Sequence, residues 1–276
     1  MAWAIYFNGI LFWRNFMKVE FVDSIGKIKK QDWENVQTNN YPFLKYPFLE
    51  ALESSKCVSP EQGWSPFHLV VSDKEMVVAI MPLYIKTDSQ GEFIFDWSWA
   101  DAYYRNGLEY YPKLVSSIPF TPATGPRILI NEKVERVEVI KEISNCLKQI
   151  SEDNNFSSVH VLLAQKDEIE RFSTEDFSLR TSYSFHWFNK NYQDFYNFLD
   201  DMTSRQRKNI KKERNKIKAQ GVTMTRVRGN EITQEMIETF YQFYQVTYLK
   251  RGMRGYLNFE FLRISLNQFQ NLLCWF

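Results

Sequence analysis

The stretch SRQRKNIKKERNKIK, residues 204–218, settles how the second half of the chain is built. Ile210 and Ile217 lie seven apart on one narrow stripe, and Ser204 can cap the first turn, so the spacing predicts a helix. Gly221 stands where a left-handed residue would end it. From Arg205 to Lys218 there are eight basic residues and one acid, Glu213, a local net charge of +7 in a chain of net charge +1. Arg207, Lys208, Lys211, Lys212 and Arg214 would cover two adjacent faces. Like charges at this density repel, which points to an anionic partner; the alternative is a solvated basic face.

Working outward, Val222 to Val227 reads as a strand and Glu231 to Lys250 as a long aromatic-rich helix. Phe259 to Phe276 reads as another. Upstream, Asn191 with Asp194 starts a helix reaching Asp201, and Ser178 to Phe188 alternates like a strand. SVHVLLA, residues 158–164, is a buried strand whose His160 reads as a core or edge histidine. Asn131 caps a helix from Glu132 to Ile150, with Val134, Val137, Ile140, Ile143 and Leu147 on its inner stripe. Ile128 to Ile130 is a short strand. PFTPATGPR, residues 119–127, must be a loop.

In EFIFDWSWADAYY, residues 92–104, Phe93, Phe95, Trp97 and Trp99 alternate onto one face of a predicted strand. Phe67 to Val71 and Met76 to Lys86 form a hairpin around Ser72–Glu75. Phe48 to Ser54 and Asp32 to Gln37 are helical, and Lys18 to Val22 is a first strand. Strands and helices in this order predict an α/β chain with a mixed sheet.

The 276 residues allow one large domain or two small ones. Cys57, Cys146 and Cys274 form no Cys-x-x-Cys pair, and His68, His160 and His186 have no ligand spacing. Neither a disulfide framework nor a metal site is expected, and a reducing, cytoplasmic setting fits. Residues 1–16 are apolar, short for a membrane span, and without the marks of a signal peptide; they read as a non-native or loosely held leader ahead of Met17.

The segments YPFLKYPFLEALE, AIMPLYIK, EFIFDWSWADAY, YYPKL, PFTPATGPR, FHWFN, SRQRKNIKKER and the run from FYQFYQVTYLKRG to GYL lie in order from Tyr41 to Leu257. Together they resemble the Fem-like branch of the GNAT N-acyltransferase superfamily, the peptidoglycan biosynthesis/recognition-like family. The resemblance implies tandem GNAT-like domains, the first over residues 17–175 and the second, over residues 176–276, incomplete. It also implies acyl or aminoacyl transfer from acyl-CoA or aminoacyl-tRNA to an amine acceptor, such as a cell-wall precursor. The alternative is a non-catalytic anion-binding protein, or an inactive fragment.

Acyl transfer to an amine needs a proton acceptor, a stabilised oxyanion and an accepted leaving group. Asp96 and Asp101 are the carboxylate candidates, although Asp101 can simply cap a turn and Asp96 face water. Tyr103 and Tyr104 can protonate a leaving group or merely pack. By the resemblance His186 is the best-placed histidine; packing beside Trp187 is the other reading. Arg205, Arg207, Lys208, Lys211, Lys212 and Arg214 suit carrier phosphates. Thr124, Gly125 and Arg127 offer donors to an anion, or form a rigid connection.

Overall fold

The computed structural model describes residues 12–14, 17–268 and 274–275. The chain divides into two compact units: one reaches to Leu179 and resumes over Gly229–Leu273, and the other comprises Arg180–Arg228 with the Cys274–Phe276 end.

The first unit opens on β1 (Phe12–Arg14) and β2 (Met17–Val22), then α1 (Lys30–Val36) and α2 (Tyr46–Ser54). Strands β3 (Trp64–Pro66), β4 (His68–Asp73), β5 (Met76–Met81) and β6 (Tyr84–Lys86) follow. Then come α3 (Trp97–Arg105), β7 (Lys113–Ser116), β8 (Leu129–Ile130), α4 (Arg136–Asp153), β9 (Val159–Val161) and α5 (Lys166–Thr174).

β1-β2-β4-β5-β8 form one antiparallel sheet. β3-β6-β7-β9 form a second, in which β7 and β9 run parallel. The expected run Met76–Lys86 is broken at Pro82. Proline has no N–H for the ladder, so the chain leaves the first sheet after Met81 and enters the second at Tyr84. The apolar stripe of α4 (Val139, Ile140, Ile143, Leu147, Ile150) covers the core built from Val19, Leu69, Val71, Val78 and Leu114. α4 starts at Arg136, later than expected, because Asn131 accepts from the Lys133 N–H and closes a turn instead; Val137 is exposed and off the stripe.

The stretch Glu92–Tyr104 is not the expected strand. It is a loop followed by α3, with its acids turned inward and its rings outward. Glu92 and Asp96 are buried, while Phe93, Phe95, Trp97 and Trp99 are exposed. The alternation was real, but buried cations turn the polar side inward. Gly91 lets the loop approach Phe120: φ is +77°, and a Cβ there would meet the Phe120 ring at 2.6 Å.

α8 (Gln234–Leu249) and α9 (Phe259–Gln268) complete the first unit. α9 packs on α2 through Phe261 and Phe48, edge to face with ring centroids 6.0 Å apart. Tyr256, between α8 and α9, stacks on Phe120 at 5.2 Å. The helix expected over Phe259 to Phe276 is seen over Phe259–Gln268, and residues 274–275 are a strand; residues 269–273 and 276 lie outside the described residues. The leader residues 1–11, 15 and 16 lie outside them too.

The second unit contains α6 (Phe195–Asp200), α7 (Ser204–Ala219) and the pair β10 (Val227–Arg228) with β11 (Cys274–Trp275). Asp194 caps α6 by accepting from the Asn197 N–H at 2.8 Å. The cap of α7 is Thr203, one residue before the expected Ser204, in a reciprocal capping box with Gln206. Gly221, at φ +71°, follows the helix as expected. The strand predicted over Ser178–Phe188 is irregular and exposed, and of the strand predicted over Val222–Val227 only Val227 is in a strand, β10.

Candidate active site

In the first unit, three segments bring ionisable side chains together: β6, the loop into α3, and the stretch from Tyr110 into β7. Lys113 opens β7 with no exposed side-chain surface. Its ammonium donates to Ser89 Oγ at 3.0 Å, Glu92 Oε2 at 2.9 Å and Asp96 Oδ2 at 2.5 Å, which uses all three protons. Directly opposite Lys113 in the β6–β7 ladder, Lys86 lies 4.0 Å over the Trp64 ring and donates to Asp88 and to the Gln90 carbonyl, each at 3.2 Å.

Burial costs charged groups solvation, so each charge here depends on its neighbours. Desolvation pushes Glu92 up to about 7, against the pull of Lys113. Desolvation also pushes Lys86 down to about 8, against Asp88 and Glu92. Burial acts to raise Asp96 as well, but hydrogen bonds led by that from Lys113 outweigh it and leave this carboxyl below its ordinary value. Glu92 Oε1 and Asp96 Oδ1 are buried with no hydrogen-bond partner.

A hydrogen-bonded path leads outward from this cluster. Tyr110 donates to Asp96 Oδ2 at 2.6 Å, and its oxygen lies 3.5 Å from His160 Nε2. The same imidazole nitrogen is 2.8 Å from Ser158 Oγ. Ser158 and His160 are half-buried, at and just before β9, and the Trp99 ring of α3 is 6.2 Å from the imidazole.

Of the residues singled out in the sequence, Asp96 sits in this cluster and does not face water. Tyr103 packs edge to face on Tyr110, 5.1 Å away. Asp101 is exposed on α3, 3.7 Å from Arg105 one turn on, a surface ion pair and not a turn cap. Arg127 is buried, and its guanidinium donates to the carbonyls of Ala123, Gly125, Pro126 and Leu162 at 2.7–3.1 Å. Those bonds make it a brace for the proline-rich loop and leave it turned away from any external anion. Gly125 is buried with its N–H given to Leu163, while Thr124 is exposed.

In the second unit, α7 has no buried residue. Ser204, Arg207, Lys208, Lys211, Lys212 and Asn215 line an open groove of about 500 Å³ along it. Arg205 is exposed. Arg214 stacks 4.1 Å over Phe195, and Lys211 lies 5.7 Å from the Tyr196 ring. His186 is exposed and stacks with Phe188 at 6.1 Å; it is not packed inward.

Comparison with protein families gives a match over residues 24–274 to FemAB-like, peptidoglycan biosynthesis/recognition. The chain belongs to the FemAB-like family. No curated protein and no solved structure matches it. Among the described residues no helix is long and apolar enough to cross a membrane, and no cluster of His, Cys, Asp and Glu could hold a metal ion.

Sequence reasoning missed Lys113, Glu92 and Tyr110 as site residues of this FemAB-like chain. A signal existed: in YYPKLVSSI, Lys113 opens an apolar run, and a lysine in such a strand needs buried acids. Glu92 and Asp96, set opposite the rings in EFIFDWSW, are those acids. His160 gave no signal of its own, because its partners come from residues 2 and 50 positions away.

Proposed function

We propose that this FemAB-like chain transfers an acyl or aminoacyl group from an anionic carrier, acyl-CoA or aminoacyl-tRNA, to an amine acceptor of a cell-wall precursor. The observation that carries the reading is the groove on α7. Four cations face it from successive turns, and no carboxylate lines it. A helix of this charge without buried side chains costs stability through self-repulsion unless an anion is bound. Arg207 Nη1 is paired with Asp200 Oδ1 at 3.1 Å and the remaining N–H groups of its fork can meet phosphate oxygens, while the lysines act as point charges. The polar cluster of the first unit supplies the proton-handling side chains, behind an exposed aromatic surface on α3.

One observation favours the alternative of anion binding without catalysis. Asp96, one of the two carboxylate candidates, is committed to Lys113 and held below its ordinary range, which makes it a weak base. Incubating the protein with labelled acyl-CoA or aminoacyl-tRNA and a precursor peptide amine separates the two. Transfer of label to the amine, lost when Lys208, Lys211 and Lys212 are changed to Glu, supports the enzyme. Carrier binding without transfer supports the alternative.

A further inference from the structure

We propose that His160 is the proton acceptor for the attacking amine, working through Ser158 and positioned by Tyr110 and Asp96. The inference rests on the transferase reading above and names the residue that would do its acid–base work.

The proton on Tyr110 has one place to go. Its hydroxyl is 2.6 Å from Asp96 Oδ2, and ionised Asp96 can only accept, so the phenol proton points to Asp96. Burial, then the hydrogen bond to Asp96, holds the phenol well above its usual range, so the proton stays there. The Tyr110 oxygen therefore presents a lone pair toward His160 Nε2 at 3.5 Å. A hydroxyl that donates strongly to a carboxylate is a better acceptor in return. Lys113 holds Asp96 ionised from behind.

Ser158 Oγ lies 2.8 Å from the same Nε2 atom. In the neutral imidazole with Nδ1 protonated, Ser158 donates to Nε2. In the imidazolium, Nε2–H has two acceptors to choose from, Ser158 Oγ and the Tyr110 oxygen. Nε2 thus has a partner in both protonation states without movement of the ring. In the usual triad the carboxylate holds the ring nitrogen opposite the working one; here the Tyr110–Asp96 pair and Ser158 share Nε2.

Two neighbours of the imidazole among the described residues are compatible with this role. From α3 comes Trp99, apolar and 44% exposed. Val115 of β7 is its register partner. Glu92 and Lys113 stand behind Asp96. The Trp99 face beside the histidine offers an amine, arriving as an ammonium, a cation–π contact before deprotonation.

The amine nitrogen bonds to the acyl carbon, and the bond from that carbon to the carrier's oxygen or sulfur breaks with its electron pair leaving on the carrier. The proton lost by the nitrogen passes to Ser158 Oγ as the Ser158 proton passes to His160 Nε2. The imidazolium then gives a proton to the departing oxygen or sulfur, directly or through water.

The test combines a transfer assay with an imidazole titration by NMR, both on the full chain. In the assay, His160→Gln should lose about 100-fold or more in kcat/KM together with the ionisation on the acid limb of the pH profile. Ser158→Ala, which leaves the ring packing alone, should lose rate in the same direction. In the titration, Tyr110→Phe removes an acceptor of the imidazolium, so the His160 midpoint should fall. If the wild type transfers and His160→Gln or Ser158→Ala keeps its rate and pH profile, the base is elsewhere and the transferase reading stands. If the His160 midpoint is unmoved in Tyr110→Phe, the positioning path is wrong. If the wild type transfers from neither carrier, the transferase reading and this inference fall together.

Discussion

Lys113 Nζ lies 2.5 Å from Asp96 Oδ2, with neither side chain exposed, and the two are 17 residues apart in sequence. This contact pulls the loop after β6 against β7 and turns the aromatic side of Glu92–Tyr104 outward. Asp96→Asn keeps the shape but leaves a buried ammonium short of a carboxylate. The expected loss is about 3–5 kcal/mol of unfolding free energy, read from urea unfolding. A loss below about 1 kcal/mol would mean that Glu92 alone holds the lysine.

Glu92 is held up to about 7 by burial, above the ordinary glutamate value. Between those values the folded protein binds a proton that the unfolded chain has released. Stability should therefore fall as pH rises through this window, by up to about 3 kcal/mol. Glu92→Gln has no proton to lose and should show a flatter profile from pH 4.5 to 7. Thermal unfolding at a series of pH values checks this.

Arg127 separates a structural cation from a ligand-binding one. Arg127→Lys cannot reach four carbonyls and should cost about 2–4 kcal/mol, while affinity for acyl-CoA or tRNA stays unchanged at temperatures where the variant is folded. A specific loss of affinity with stability intact would return Arg127 to the binding surface.

Asp101 and Arg105 form an exposed pair one helical turn apart. Asp101→Asn should change stability by less than about 0.5 kcal/mol. By this account it should also leave transfer within about threefold, as measured by initial rates. A large loss of rate would place Asp101 in the chemistry.

Local elements with one strong cue were legible in the sequence. The helix of α7 followed from its isoleucine spacing and Gly221, and the inner stripe of α4 from its apolar repeat, Val137 excepted. The outcome failed where distant partners decide. Period-two rings from Phe93 to Trp99 satisfy the strand pattern, but Lys113 lies far along the chain and no local window contains it. Pro82 was visible, yet its consequence, a change of sheet, depends on what pairs with Tyr84–Lys86. The irregular segment Ser178–Phe188 shows the converse: an alternating pattern makes a strand only when a sheet edge is there to receive it.

The central claim is that the cationic face of α7 grips a phosphate-bearing carrier, and a salt titration of binding tests it most directly. Labelled tRNA and acyl-CoA would each be titrated by fluorescence anisotropy from about 50 to 200 mM salt, against the wild type and a variant with Lys208, Lys211 and Lys212 changed to Glu. The account predicts that affinity for one of the two falls with salt and drops at least tenfold in the variant. For tRNA, four neutralised phosphates give a log–log slope of about −3. Affinity that ignores both salt and charge reversal would contradict it.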